Sequence, residues 1–138
     1  MSKFPDPLCV AVHNSGRLFQ LTADFSFHYD GPDGLEIYTV PKGFVTNFAS
    51  IPKILWSVYG PIGTATKASV IHDYLYSNAS VSRLKADQIF RDGIVTVDGK
   101  KTKANVFYRA VRTFGAGQYD GMPPEPFIEN ENKSDRLV

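Results

Sequence analysis

Alternation of apolar and polar side chains over residues 19–29 is the feature that most restricts the fold of this chain. Apolar side chains occupy every second position there, and polar side chains fill the positions between them. A period of two residues predicts a β-strand with one buried face. The turn-forming residues 30–34 (Asp-Gly-Pro-Asp-Gly) follow, and residues 35–40 again favour a strand, so the segment predicts a β-hairpin.

Helical signals fill the chain after this hairpin. Serine or threonine stands at or near the start of each candidate helix, as is typical of helix N-caps. The predicted helices cover approximately residues 50–59, 64–77, 82–97 and 102–114. Strands before helices indicate the α+β class, with an N-terminal antiparallel hairpin or small sheet followed by three to four helices.

The chain length suits one domain with a single core, which we place at residues 1–117. Residues 118–138 are rich in proline, glutamate and asparagine, and the proline-rich run after Met122 excludes regular helix. We expect this tail to be an extended or disordered C-terminal arm. It is a candidate segment for self-association or for docking onto other proteins of an assembly.

Charge and cysteine content narrow the possible classes of protein. Fifteen basic and fourteen acidic residues give a net charge of +1, so we expect no nucleic-acid partner. Cys9 is the single cysteine, which excludes an intrachain disulfide framework. The N-terminal residues lack the apolar run of a signal peptide, and no segment approaches the roughly 20 apolar residues of a membrane span. We therefore expect a cytoplasmic protein without a membrane span.

A polar stripe on the second predicted helix carries the most chemistry. Ser69, His72, Asp73 and Tyr76 fall at i, i+3, i+4 and i+7, which places them on one face of a helix. The neighbouring apolar residues would point into the core from the opposite face. The stripe is either a reaction surface, with a histidine base, an acid and a phenol, or an ordinary solvated face.

Asp87 interrupts the apolar stripe of the third predicted helix. A carboxylate buried among apolar side chains is costly unless a partner meets it, and His72 on the preceding helix is an obvious partner. The short connection predicts antiparallel packing of the two helices. Asp87 would then orient His72 as a general base, with Asp73 free to bind a metal ion. The alternative is a purely structural hydrogen bond between His72 and Asp87.

A second polar cluster precedes the first predicted helix. Thr46, Asn47 and Ser50 place three hydrogen-bonding side chains just before a helix N-terminus, which can bind an anion or an anionic substrate. Capping of the helix by Asn47 or Ser50 is the alternative interpretation.

Together the two clusters resemble a family of unknown function found in bacteriophages and prophages. Its members look like G-F-x-T-D-x-A-S-I-P, then H-D-x-L-Y, then S-R-x-x-A-D-x-x-F. The matching residues here are Gly43, Phe44, Thr46, Ala49, Ser50, Ile51, Pro52, His72, Asp73, Leu75, Tyr76, Ser82, Arg83, Ala86, Asp87 and Phe90. Asn47 stands where the family pattern has aspartate, which weakens any acidic or metal-binding role at that position. The resemblance implies a viral gene product present in the host cytoplasm.

A more distant resemblance suggests a chemistry. A helix with H-D-x-x-Y, followed by a helix with Asp-x-x-Phe, is similar to the core of secreted and viral phospholipases A2. The similarity implies His72 as the base, Asp73 as a calcium ligand, Asp87 as the orienting acid and Tyr76 as its support. The cysteines are missing, and the glycine-rich calcium loop is reduced to residues 60–63.

Three functions are therefore carried forward. The first is a hydrolase built on His72, Asp87 and Tyr76, with or without assistance from calcium, acting on an ester or lipid. The second is a non-catalytic virion component of the head or tail that binds other virion proteins. The third is an accessory protein in lysis or host interaction.

Overall fold

The computed structural model describes residues 1–47, 55 and 63–119. Within these ranges, strands come first and helices follow, which confirms the α+β class. The strands are β1 (Val10–Val12), β2 (Phe19–Leu21), β3 (Phe25–Gly31), β4 (Gly34–Val40) and β5 (Val45–Thr46). The helices are α1 (Thr66–Asn78), α2 (Arg83–Asp98) and α3 (Lys101–Phe114), followed by a short 3-10 turn at Ala116–Gln118.

The predicted hairpin is confirmed and consists of β3 and β4. The two strands pair antiparallel in continuous register, from Phe25 opposite Val40 to Gly31 opposite Gly34. The connection needs glycine at position 34, whose φ of 108° is strained for residues with a side chain. The alternating pattern sends Phe25, Phe27 and Tyr29 into the core, as the period of two predicted.

The prediction of one strand over residues 19–29 was wrong, because the chain bends between β2 and β3. β2 pairs with β1 and β5 in a three-stranded sheet, whereas β3 pairs with β4. Two contacts hold the bend: the Thr22 amide donates to the Cys9 carbonyl, and the Lys42 amide donates to the Asp24 carboxylate. Distant parts of the chain satisfy the backbone here, so the local alternation carried no sign of the break.

The helix boundaries agree closely with the sequence, with one correction at a cap. Ser82 caps α2 as predicted, accepting a hydrogen bond from the Lys85 amide. Neither Thr64 nor Thr66 caps α1, since its N-cap is Ala65, which gives no side-chain bond. The hydroxyl of Thr66 instead accepts from the Gly63 amide, which secures the turn before the helix.

Close packing of α1 against α2 positions the polar residues of both helices. Gly93 of α2 lies so near Ala68 of α1 that an added Cβ would come within 2.9 Å of the Ala68 Cβ. Phe4 covers this region and stacks on Phe27 with ring centroids 4.4 Å apart. The contact between Gly93 and Ala68, together with that between His72 and Asp87, runs in opposite directions along the two helices, so they are antiparallel.

Three sequence predictions fall wholly or mostly outside the described residues. These are the helix over 50–59, the residues of the reduced calcium loop before Gly63, and the C-terminal arm at 118–138. The single-domain boundary at residue 117 remains a prediction. Among the helices that the structure describes, none combines the length and the apolar character needed to cross a lipid bilayer.

Candidate functional site

A hydrogen bond between His72 and Asp87 lies at the centre of the candidate site. His72 Nε2 is 2.6 Å from Asp87 Oδ1, and both residues are 0% exposed. The imidazole is packed between the rings of Tyr76 and Phe90, with centroid distances of 4.0 and 4.7 Å. The structure therefore holds the imidazole in one orientation, with Nε2 committed to the carboxylate.

Two further groups donate to the same carboxylate. The hydroxyl of Tyr76 donates to Asp87 Oδ1 over 2.5 Å, and Arg112 Nη1 of α3 donates to Oδ2 over 2.8 Å. Tyr76 is buried, whereas the side chain of Arg112 is 35% exposed. Asp87 thus accepts one hydrogen bond from each of three side chains on two other helices, which satisfies the rule that a buried charge needs partners.

Arg83 connects this cluster to the end of α3. Its Nη2 donates to the backbone carbonyls of Val111 and Arg112, each over 2.7 Å, and its Nε donates to the Tyr76 hydroxyl over 3.3 Å. An arginine has only donors, so the Tyr76 hydroxyl must accept from Arg83 and direct its own proton to Asp87. A chain of fixed polarity results, from Arg83 through Tyr76 to Asp87.

The surroundings of Asp87 keep its carboxylate ionised. Burial by itself would raise the pKa of Asp87, but hydrogen bonds from His72, Tyr76 and Arg112 outweigh it, and the pKa lies below its ordinary value. Burial and the bond to Asp87 raise the pKa of Tyr76, which therefore remains a neutral phenol and a proton donor. The cluster therefore consists of the Asp87 anion and three donors bonded to it, one of which is the His72 imidazole.

The lowered pKa of Asp87 predicts a contribution to acid unfolding. A carboxyl whose pKa is lower in the folded state stabilises the fold above its unfolded pKa of about 4, and this stability is lost as pH falls through the folded value. Removing a donor in Arg112→Gln should raise the midpoint pH of acid unfolding, measured by circular dichroism. Arg109→Gln makes the same charge change at an exposed site and should leave the midpoint unchanged. Equal midpoints for the two variants would contradict this prediction.

The two polar clusters found in the sequence meet in the structure. The hydroxyl of Thr46, buried on β5, donates to the Asp73 carboxylate on α1. Asn47 follows directly and is exposed, and Ser50 lies outside the described residues. Thr46 and Asp73 are therefore neighbours beside the buried pair, while the anion-binding role of Thr46, Asn47 and Ser50 stays a prediction.

The interpretation of the α1 stripe as a solvated face was wrong. Ser69, His72 and Tyr76 are buried, and Asp73 is half-buried. The reason is that α1 packs against α2 and also against strands β4 and β5, with Thr46 of β5 meeting the stripe itself at Asp73. The expected pairing of His72 with Asp87 is present.

Sequence reasoning missed the two arginines of the site. Arg112 lies on α3, and no local pattern in the sequence specifies how that helix is oriented. Arg83 lies on α2 and bonds to the C-terminal end of α3, at the Arg112 carbonyl. One signal was available: a buried aspartate requires compensating partners such as a cation, because an uncompensated buried charge is strongly unfavourable. That signal indicates the kind of residue but not its position in the chain.

Fold and site together define an α+β domain with a histidine–aspartate pair buried where three helices meet. The chain belongs to the family described as "Protein of unknown function (DUF1353)", whose profile matches residues 19–111. It is 41% identical over 100 residues to "Uncharacterized protein y4jT" of Sinorhizobium fredii (strain NBRC 101917 / NGR234). That match covers 71% of this chain and 29% of the relative, so the chain spans less than a third of that protein. No solved structure matches the chain.

Proposed function

We propose that the protein is a phage-encoded hydrolase of the host cytoplasm, in which His72 activates water for attack on an ester, including a lipid ester. The hydrogen bond from His72 Nε2 to Asp87 is the observation that carries this proposal. A carboxylate accepts but does not donate, so the proton of a neutral imidazole is on Nε2. The lone pair is then on Nδ1, which makes Nδ1 the atom that would accept a proton from water.

The rest of the cluster supports the charge that would form in the reaction. When Nδ1 takes the proton, the water oxygen attacks the ester carbonyl and His72 becomes an imidazolium beside the Asp87 carboxylate. The bond from the carbonyl carbon to the alcohol oxygen then breaks, and the imidazolium returns its proton to the leaving alkoxide, which regenerates neutral His72. Asp87 stabilises that cation and holds the ring in place, as the orienting acid of a catalytic triad does. Tyr76 and Arg112 act through Asp87, because each donates to it. They are positioning residues in this scheme.

Complete burial of His72 adds a requirement to the proposal. A substrate reaches Nδ1 only by displacing the groups that cover the imidazole, which is 0% exposed. Active sites that close over their substrates often open by such movements.

Calcium, suggested by the distant phospholipase A2 resemblance, enters no step of this scheme. Calcium takes six to eight oxygen ligands, whereas the oxygen-bearing side chain shown against the Asp73 carboxylate in the described part of the site is that of Thr46, and Asp87 is already bonded by three donors. No group of three or more histidine, cysteine or acidic residues with metal-binding geometry occurs among the described residues. These residues alone do not fit a calcium site.

The test compares two histidine substitutions across a panel of ester and phospholipid substrates. His72→Gln keeps an amide donor for Asp87 but removes the base, so hydrolysis should fall by a factor of about 100 or more. His28→Gln makes the same substitution on the outward side of β3 and should leave activity unchanged. Both variants are first checked for folding by circular dichroism and thermal melting.

Two results would exclude the hydrolase. One is wild-type protein that is folded yet inactive on every substrate, with and without calcium. The other is activity retained in a folded His72→Gln variant. Either result would assign His72 to packing.

The second candidate is a non-catalytic virion component, and the saturation of Asp87 favours it. An aspartate bonded by three side chains in a sealed interior joins three helices whether or not chemistry follows. Binding to other virion proteins, or self-association through residues 118–138, would then be the function. Copurification with phage particles, lost on deletion of that tail, would support this role; a monomer absent from particles would exclude it.

A further inference from the structure

A cleft lies away from His72, between the hairpin turn, α2 and the start of α3. Its volume is about 350 Å³, within the range of small-molecule sites. Tyr29 and Pro32 line it from the hairpin, Gln88, Arg91, Asp92 and Val95 from α2, and Lys101 from α3. Most of these side chains carry a polar or charged group, and apolar atoms line the rest, so the cleft suits a polar ligand that also has an apolar face.

Tyr29 is the most informative residue of this cleft. Its side chain is 7% exposed, yet among the described residues its hydroxyl has no hydrogen-bond partner. The hydroxyl is not among the enclosed unpaired polar atoms, so it reaches the cleft surface and can bond to a ligand atom there. Burial and the charge of Asp92 raise the pKa of Tyr29, so the phenol remains protonated and able to donate.

Two cations line the same cleft. Arg91 donates from Nε to Asn105 over 2.7 Å, which fixes the guanidinium while its two Nη groups bond to no described residue. Lys101 is exposed and is the first residue of α3. The N-cap residue Lys100 makes no side-chain capping bond, and the first turn of this helix contains no acidic residue. Both cations and the positive end of the helix favour an anion.

Uncharged and acidic hydrogen-bonding groups complete the lining. Asp92 accepts from the Ser2 hydroxyl at Oδ2, which fixes the carboxylate, and its Oδ1 bonds to no other described residue. Gln88 adds an exposed amide. A carboxylate and an amide recognise hydroxyl groups well, so the cleft offers one cationic end and one end suited to a polyol.

We propose that this cleft binds a sugar phosphate or another small polyhydroxylated phosphate monoester. Arg91 and Lys101 bind the phosphate, because a guanidinium fork and an ammonium match its charge and its several acceptor oxygens. Tyr29, Gln88 and Asp92 bind the hydroxyl groups. The proposal is independent of the chemistry at His72, since none of these side chains is among those that hydrogen-bond to Asp87 in the described part of the chain.

The test is isothermal titration of the full chain with glucose 6-phosphate, inorganic phosphate and glucose. We expect glucose 6-phosphate to bind with a dissociation constant of about 1 mM or lower, and Lys101→Ala to weaken it about tenfold. Lys100→Ala, the neighbouring exposed lysine outside the lining, is the matched control and should change affinity less than about twofold. Tyr29→Phe should weaken glucose 6-phosphate but not inorganic phosphate. This variant removes a hydroxyl with no hydrogen-bond partner among the described residues, so it should fold normally.

Three outcomes would overturn the proposal. The first is no binding of glucose 6-phosphate up to about 20 mM. The second is equal weakening by Lys100→Ala and Lys101→Ala, which would indicate general attraction to a basic surface. The third is an unchanged affinity for glucose 6-phosphate in a folded Tyr29→Phe variant.

Discussion

Asp87→Ala should lower the free energy of unfolding by about 3–5 kcal/mol, the usual effect of removing one partner from a buried ion pair. Three donors lose their acceptor in this variant. Arg112, 35% exposed, can turn towards water, but His72 and Tyr76 are 0% and 3% exposed and cannot. An unpaired hydroxyl and imidazole in a dry interior account for most of the loss. Urea unfolding of both proteins, followed by circular dichroism, measures it.

Asp6→Ala is the matched control for this variant. Asp6 is exposed and makes no hydrogen bond or ion pair with the described residues, so its loss should change stability by less than about 0.5 kcal/mol. A loss below about 1 kcal/mol in Asp87→Ala would show that water reaches the cluster and replaces the carboxylate. The description of the cluster as closed to water would then be wrong.

Arg83→Ala should lower the free energy of unfolding by about 2–3 kcal/mol, because hydrogen bonds from a charged group are among the stronger ones. Arg83 binds the backbone carbonyls of Val111 and Arg112 at the end of α3, where helical carbonyls lack intrahelical partners. Its loss should also remove the hydrogen bond that the Tyr76 hydroxyl accepts from Arg83. Denaturant unfolding gives the energy, and hydrogen exchange should show faster exchange in the last turn of α3.

Two variants distinguish the effect of the Arg83 guanidinium geometry from the effect of its charge. Arg83→Lys keeps the charge but not the fork that spans two carbonyls and Tyr76, so it should recover only part of the stability. Arg109→Ala removes an exposed arginine of the same helix end and should have little effect. Full recovery by lysine would contradict the role of the fork geometry.

The hairpin was predictable because its signals are local. Alternation on both strands and the turn at residues 30–34 specify pairing between neighbours in the chain. The bend before Phe25 was not predictable, since Thr22 and Asp24 are held by residues 13 and 18 positions away. The sequence therefore predicts short-range pairing, while the assignment of β2 to a separate sheet depends on contacts made only after folding.

The same distinction between local signals and contacts made after folding applies to the candidate functional site. Asp87 stood out because a carboxylate in an apolar stripe demands a partner, and a short loop brought His72 within reach. Arg112 joins from 25 positions further along, on a helix whose rotation is set by packing of Phe107 and Val111 in the core. The amphipathic period of α3 shows which face of the helix is buried. It does not show which residues of other helices lie against the side of α3 that carries Arg112.

Burial of the His72 imidazole has a spectroscopic consequence. A ring N–H bonded to a carboxylate and shielded from solvent exchanges slowly with water, so its proton should give a resolved line far downfield in a simple proton NMR spectrum. His28, partly exposed on β3, should give no such line. That single resonance would report, without isotope labelling, whether the junction of the three helices is intact during a titration or a melt.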